Sequence, residues 1–315
     1  MVFPEPSIKV IKRTVRTVFI PFFFTFIDLI LVLVSCSDSD AFQLPKSEKC
    51  HEDSQQIELV KKIQFSFTIR NRTTRLVRKP EFWVYGPVKQ TANQKCQTIV
   101  SSHPYTLMTD NLGNQILRYD LIDFPPFSSR IITIQADLLF SSSLRQPYPL
   151  KINNSVSFVP CKDASFDQLI QELRGETPCE SAAKILSWIS ENVRYSGYMR
   201  NDRGFCFPFK KLEGDCTEFS NLFVIMAQSI GIPACRMAGF RFDDGFRLKP
   251  ENYHNWAEFF EGDRWAFVDP QRGKFKTDIS SCVAMLITEW DGQDSGQPVN
   301  QFGLSTDDLE VKMND

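Results

Sequence analysis

Apolar and polar residues alternate along much of residues 57–160, and this period of two is typical of β-strands with one buried face. The clearest run is IELVKKIQFSFTIRN, whose alternating apolar residues are Ile63, Phe65, Phe67 and Ile69. Shorter runs of the same kind are EFWVYGPV, QILRYDLIDF and RIITIQADLLF, and residues typical of turns separate them. Short strands divided by turns, with no helical run among them, predict a small all-β sandwich domain over 57–160.

Helical spacing replaces this alternation after Cys161. Residues 163–173 form a predicted short helix. The order Thr177, Pro178 and Glu180 has the pattern of a capping box at the start of a second helix. Apolar residues then recur at steps of three and four: Ile185, Trp188, Ile189 and Val193. The sequence thus predicts two consecutive helices at the start of a second domain.

A third helix is predicted to begin at Cys216, directly after Gly214-Asp215, and to end at Gly231-Ile232-Pro233. Strand-like segments follow it, ACRMAGF, NWAEFF and RWAFVD, and a turn at 261–263 joins the last two. This order predicts an α+β domain over 161–315, in which the helix that carries Cys216 packs on an antiparallel sheet. The polar final stretch, DGQDSGQPVNQFGLSTDDLE, is predicted to cap an edge of that sheet.

Residues 1–36 differ in composition from the rest of the chain. A positively charged segment precedes an almost wholly apolar run, VFIPFFFTFIDLILVLVS, which is the pattern of a secretory signal peptide or a membrane anchor. Pro21 and Asp28 interrupt this run, and a charge near the middle of a spanning helix is costly. The run ends in Leu33-Val34-Ser35-Cys36, which resembles the bacterial lipoprotein cleavage box, where the cysteine receives a lipid.

These N-terminal features predict a cell-envelope protein with lipidation at Cys36 and a polar tether over 37–56. A retained membrane anchor or a plain signal peptide is the second interpretation, and a cytosolic protein is the third. Membrane association would come from the N-terminal anchor or lipid.

Net charge and motif content argue against two classes of function, nucleic-acid binding and metal or cofactor binding. The 315 residues suffice for two domains, and a net charge of -2 with a pI near 6.0 gives no basic surface that would bind nucleic acid. No paired CxxC or HxxxH motif is present, so neither a structural metal nor a cofactor is predicted.

The nine cysteines fit an exported protein, because disulfides form in oxidising compartments. One lipidated cysteine and one catalytic thiol would leave an odd number, so at least one further cysteine would stay unpaired. Cys50 with Cys96, and Cys161 with Cys179, are candidate disulfides, but the connectivity stays open. Cys206 is predicted to be structural or to form a disulfide that guards the nucleophile.

Three residues of the second domain suit nucleophilic catalysis: Cys216, His254 and Asp269. A thiolate attacks a carbonyl, an imidazole moves the proton, and a carboxylate fixes the tautomer of the imidazole. At a helix start, Cys216 would face unpaired backbone N–H groups and the positive end of the helix dipole, which favour the thiolate. His254 and Asp269 flank the hairpin turn at similar distances, so they are predicted to lie opposite one another on two strands.

Three sequence blocks around these residues, GDCTEF, YHNWAE and WAFVDP, resemble the core of the transglutaminase-like superfamily. The resemblance covers about residues 165–280 and implies a papain-like α+β fold. It also implies that Cys216 is the nucleophile, that His254 is general base and then acid, and that Asp269 orients the histidine. The upstream β region is similar to the sandwich that is often fused to bacterial members of this family.

One part of the family's site is not found in the sequence. The second oxyanion donor is usually a side chain somewhat upstream of the cysteine, but no Gln lies between Arg200 and Cys216, so this donor is unassigned.

The resemblance implies a thiol-dependent enzyme that acts on amide bonds of a protein or peptide substrate through a thioester at Cys216. The acyl group would pass to water, as in a peptidase or amidase, or to an amine. The alternative is a catalytically inactive family member that binds a peptide or a partner protein in the envelope. A purely structural lipoprotein is the third interpretation, and a disulfide at Cys216 would support it.

Overall fold

The computed structural model describes residues 58–142, 144, 163–198, 203–204, 206–241, 245–276, 279–288 and 301–315. The predicted signal or anchor at 1–36, the lipidation site at Cys36 and the tether at 37–56 lie outside these residues. Within the described part of the chain, no helix is both long enough and apolar enough to cross a membrane.

Eight strands form two four-stranded antiparallel sheets. The first sheet contains, in spatial order, β15 (Leu309–Met313), β1 (Glu58–Asn71), β6 (Ser129–Ser141) and β3 (Gln94–Ser101). The second sheet contains, in spatial order, β14 (Phe302–Leu304), β2 (Glu81–Gly86), β5 (Gln115–Asp120) and β4 (Thr106–Thr109).

The two sheets enclose one apolar core. The alternating residues of β1 point into it, as their spacing predicts, and each is at most 2% exposed: Ile63, Phe65, Phe67 and Ile69. The ring of Phe67 lies 5.4 Å from the ring of Phe82 in the second sheet, measured between centroids. The predicted all-β sandwich is therefore confirmed.

The second region combines helices, a short parallel pair of strands, β7 (Arg194–Tyr195) and β8 (Glu213–Gly214), and a five-stranded antiparallel sheet. The helices are α1 (Ala164–Leu173), α2 (Pro178–Asn192), α3 (Cys206–Lys211) and α4 (Cys216–Ile230). The strands of the sheet are, in spatial order, β12 (Lys274–Phe275), β11 (Trp265–Asp269), β10 (Tyr253–Phe260), β9 (Ala234–Arg241) and β13 (Cys282–Thr288). Helix α4 packs on β10 and β9, which confirms the predicted α+β fold.

The helix starts follow the capping rules, with one difference from the sequence prediction. The hydroxyl of Thr177 accepts a hydrogen bond from the N–H of Glu180, as in a capping box. The Glu180 carboxylate instead accepts from the N–H of Glu176, so the reciprocal half of the predicted box is absent. Helix α4 has a complete box, and Gly231 ends it in the left-handed region with φ of 95°.

The C-terminal stretch returns to the sandwich. Strand β14 pairs with β2, and β15 pairs with β1, where Met313 lies opposite Phe67. The prediction that this stretch caps an edge of the five-stranded sheet is therefore wrong for these strands. Leu309 and Met313 are buried in the sandwich core, but a five-residue strand is too short for its alternation to indicate which sheet it joins.

Buried amide side chains connect the sandwich to β13. The Gln94 side chain donates to the carbonyl oxygen of Ala284 at 3.0 Å and accepts from the N–H of Ala284 at 2.9 Å. Asn114 makes the same pair of bonds to Ile287, at 2.9 Å and 2.7 Å. The register of β13 shifts between Ala284 and Leu286, and these amides satisfy the backbone groups on either side of the irregularity.

Candidate active site

The start of α4 holds Cys216 in a capped first turn. The Asp215 side chain accepts from the N–H groups of Thr217 and of Glu218, and the backbone oxygen of Asp215 accepts from Phe219. Among the first four N–H groups of the helix, the N–H of Cys216 is the donor that this cap does not use. A helix start with one such N–H beside a thiol favours negative charge there.

A buried ion pair fixes this first turn. The Glu218 carboxylate accepts from the N–H of Asp215 at 2.9 Å and also from the guanidinium of Arg203, at 3.2 and 3.3 Å. The side chain of Glu218 is 1% exposed. A Cβ at Gly214 would lie 2.6 Å from the Cβ of Glu218, so only glycine permits this close approach.

His254 and Asp269 form a buried hydrogen-bonded pair. The Nε2 atom of His254 lies 2.7 Å from Oδ2 of Asp269, and the other carboxylate oxygen accepts from the N–H of Arg272 at 3.2 Å. The side chains of His254 and Asp269 are 5% and 1% exposed. Because Nε2 faces the carboxylate, Nδ1 is the ring nitrogen that is left for the thiol.

The two residues meet diagonally across the hairpin. Strand β10 pairs with β11 so that Ala257 lies opposite Val268, and continuing this register puts Asp269 opposite Trp256. His254 therefore lies two residues from Trp256, the residue opposite Asp269. The prediction that His254 lies directly opposite Asp269 is wrong. Positions offset by two share one face of a sheet, so the side chains still reach one another.

The histidine is close enough to Cys216 for that side chain, like Asp269, to act on its protonation. Burial alone lowers the pKa of His254, but the hydrogen bonds to Asp269 and Cys216 and the charges of both groups raise it from 6.5 to about 9. His254 is therefore protonated at neutral pH and holds a proton that it can give to a leaving group.

Alkylation of Cys216 is expected to report this pKa. Iodoacetate carries a negative charge and iodoacetamide does not, so a protonated His254 favours iodoacetate. The ratio of the two rates should fall with a midpoint near pH 9, by about fivefold, since a unit charge a few ångströms away contributes about 1 kcal/mol in water. In His254→Gln the ratio should be constant. A constant ratio from pH 7 to 10 in the wild-type protein would contradict the assignment.

A fourth side chain contacts the thiol. The Nδ2 atom of Asn255 lies 3.5 Å from Sγ of Cys216 and 3.1 Å from Oγ1 of Thr217, and Asn255 is 2% exposed. The sequence reasoning did not single out Asn255. The available signal was its position next to His254 within the block YHNWAE.

The described cysteines differ in state. Cys96, Cys216, Cys235 and Cys282 are thiols that form no disulfide. Cys179 and Cys206 are each disulfide-bonded. The candidate disulfide between Cys50 and Cys96 is therefore wrong, and the nucleophile candidate is not blocked by a disulfide. Cys161 lies outside the described residues.

The structure thus brings together the three residues that the sequence proposed, and it adds Asn255. A free, half-buried thiol at a helix start, beside a histidine held by a buried carboxylate, defines a papain-like Cys-His-Asp arrangement. The catalytic roles of Cys216, His254 and Asp269 stay a prediction. In the described residues no group of three or more His, Cys, Asp and Glu side chains is placed to hold a metal ion.

Comparison with known families agrees with this arrangement. Residues 167–270 match the model of the transglutaminase-like superfamily. The match includes all three residues of the triad. No curated protein sequence matches the chain.

Similar solved structures include a proposed cysteine protease from Cytophaga hutchinsonii. It is 14% identical and the alignment covers 82% of this chain and 92% of that chain, with a TM-score of 0.47. The periplasmic domain of TgpA from Pseudomonas aeruginosa is 16% identical, with coverage of 66% of this chain and 88% of that chain and a TM-score of 0.36. A function for this chain has to come from the residues of its own site.

Proposed function

We propose that this chain is a thiol-dependent enzyme that acts on amide bonds of peptides or proteins through a thioester at Cys216. The observation that carries the proposal is the contact of the free Cys216 thiol with His254, whose other ring nitrogen lies 2.7 Å from the buried Asp269. Nucleophile, proton carrier and orienting carboxylate are thus neighbours in the order that acyl transfer to a thiol needs.

The first half of the reaction forms the thioester. The sulfur of Cys216, whose proton has moved to His254, attacks the carbonyl carbon, and the π electrons of the carbonyl move to its oxygen. The tetrahedral intermediate then collapses, the carbon–nitrogen bond breaks, and His254 gives its proton to the leaving amine. Asp269 keeps Nε2 occupied throughout, so Nδ1 is the atom that carries this proton.

The second half regenerates the thiol. Water or an amine gives a proton to His254 as it attacks the thioester carbon, the carbon–sulfur bond breaks, and sulfur leaves as the thiolate. Cys216 is half-buried, so solvent reaches this residue and water needs no dedicated binding site. We therefore propose hydrolysis as the main outcome and acyl transfer to an amine as the competing one.

We place this activity in the cell envelope. The N-terminal sequence, with its basic segment, apolar run and lipoprotein-like box at Cys36, supports export. The disulfide bonds at Cys179 and Cys206 support the same location, because disulfides persist in oxidising compartments. Loss of palmitate labelling in Cys36→Ala is the expected result if the lipid is present, and unchanged labelling contradicts it.

Chloroacetamide labelling at pH 7 tests the proposed nucleophile. Burial raises the pKa of Cys96 to about 11 and that of Cys282 to about 12, so at most roughly one part in 10⁴ of either thiol is ionised at pH 7. Peptide mapping should find Cys216 labelled first. His254→Ala should slow this labelling by about 10²-fold or more, the lower range for loss of a general base.

Cys96→Ala is the matched control, because it removes another free, half-buried thiol and should leave the labelling rate unchanged. Equal labelling of the wild type and Cys216→Ala, or an unchanged labelling rate in His254→Ala, would contradict the proposed enzyme activity. Either result would support the alternative, a catalytically inactive binding protein.

A further inference from the structure

The side chain of Asn255 lies where the acylation reaction needs a second hydrogen-bond donor. Its Nδ2 atom is 3.5 Å from Sγ of Cys216, on a strand that packs against the start of α4. In the tetrahedral intermediate the negatively charged oxygen is bonded to the carbon that is bonded to Sγ. A donor in contact with the sulfur is therefore close to that oxygen.

We infer that Asn255 is a catalytic residue whose side-chain N–H completes the oxyanion hole, together with the backbone N–H of Cys216. This inference rests on the proposed function, because it concerns the intermediate formed at Cys216. The Cys216 N–H is the first-turn donor that the Asp215 cap does not use, and both donors lie beside the sulfur that carries the intermediate.

The amide of Asn255 is held in one orientation before any substrate arrives. The hydroxyl of Tyr253 donates to Oδ1 of Asn255 at 3.3 Å, so the oxygen of the amide faces Tyr253 and the nitrogen faces α4. One N–H then donates to Thr217 at 3.1 Å, and the other faces the sulfur. A preorganised donor of this kind needs no rearrangement when charge develops.

Tyr253 connects this amide to the sandwich. Burial raises the pKa of Tyr253 to about 12, so its hydroxyl keeps the proton that it donates to Asn255. The side chain of Gln301 also acts on the pKa of this hydroxyl, and the backbone oxygen of Gln301 accepts from the N–H of Tyr85 in β2 at 2.9 Å. Tyr253 is therefore a positioning residue for Asn255.

Tyr195 is the other side chain that could donate a hydrogen bond to the oxyanion in place of Asn255. It follows α2, its pKa is raised by burial and by the charge of Cys216, and it is 50% exposed. The described contacts include no hydrogen bond between Tyr195 and Cys216, whereas Asn255 contacts the sulfur directly and is buried. A buried, fixed amide stabilises a developing charge better than a half-exposed hydroxyl, because solvent screens the latter.

Two reagents that differ in their transition states separate an oxyanion donor from a structural residue. Acetylation of Cys216 by p-nitrophenyl acetate passes through an oxyanion, but alkylation by iodoacetamide is a displacement at carbon and forms none. Asn255→Ala should lower the maximal acetylation rate by about 10²–10³-fold, the usual loss for one oxyanion donor. The rate of alkylation should stay within a few-fold of wild type.

Asn255→Asp provides a second variant of the same shape without the donor, in case the alanine variant is poorly folded. Its acetylation rate should fall at least as far, and Tyr195→Phe should keep the wild-type rate. Equal losses in acetylation and alkylation would overturn the inference, and so would a loss confined to Tyr195→Phe. If wild-type Cys216 is alkylated but never acetylated, the proposed function itself fails, which is a different result from either of these.

Discussion

Replacing Asp269 with asparagine is expected to lower the acylation rate of Cys216 by about 10²–10⁴-fold while the protein stays folded. Oδ1 of Asp269 accepts from the N–H of Arg272, so an asparagine keeps its oxygen there and turns its NH₂ group toward Nε2 of His254. Nε2 must then accept, which moves the ring proton to Nδ1. A histidine in this tautomer cannot take the proton of Cys216.

The rate of p-nitrophenolate release under single-turnover conditions measures this effect. Asp263→Asn is the matched control, because it makes the same chemical change at an exposed residue of the turn in the same hairpin. The control should react at the wild-type rate. If Asp269→Asn also stays within a few-fold of wild type, the carboxylate does not orient His254 and the triad is incorrect.

Gly239→Ala is expected to lower the free energy of unfolding by about 3 kcal/mol, the upper end of the usual loss from overpacking. Gly239 lies on β9 between His254 of β10 and Ala284 of β13. A Cβ at this position would overlap the carbonyl oxygen of Val283, which is backbone and cannot turn away. Strands β9 and β13 would have to separate at the point where β13 also carries the contacts to the sandwich.

Denaturant unfolding followed by fluorescence measures this loss through a lower midpoint with the slope unchanged. Gly245→Ala is the control, because a Cβ there meets no atom within 4 Å. We expect its free energy of unfolding to stay within about 0.5 kcal/mol of wild type, as is typical of surface substitutions. A stability of Gly239→Ala equal to that of the control would show that β9 and β13 are not paired as described.

The sequence was sufficient to predict the helices and strands but not to predict which strands pair with each other. Alternation in β1 and helical spacing in α4 are local patterns, and both elements form where those patterns lie. The pairing of β15 with β1 joins residues such as Phe67 and Met313, which are far apart along the chain. Only the buried core of the sandwich determines that partner, and no local spacing encodes it.

In the candidate site, too, local sequence patterns predicted some residues and missed another. The triad could be proposed because its three residue types occur in a known order with strand and helix patterns around them. Asn255 was missed because neighbours on a strand point to opposite faces, so a residue beside His254 is expected to face away from the thiol. At the start of β10, however, both His254 and Asn255 contact Cys216. That contact depends on how α4 packs on the sheet.

The most direct test of the central claim is to find the acyl-enzyme itself. Wild-type protein treated with p-nitrophenyl acetate and quenched in acid should carry one acetyl group, which peptide mapping places on Cys216 and neutral hydroxylamine removes, as expected for a thioester. Cys216→Ala and His254→Ala should carry none at the same time point. Acetyl groups only on other residues, or p-nitrophenolate release from Cys216→Ala equal to that from the wild type, would contradict the formation of a thioester at Cys216.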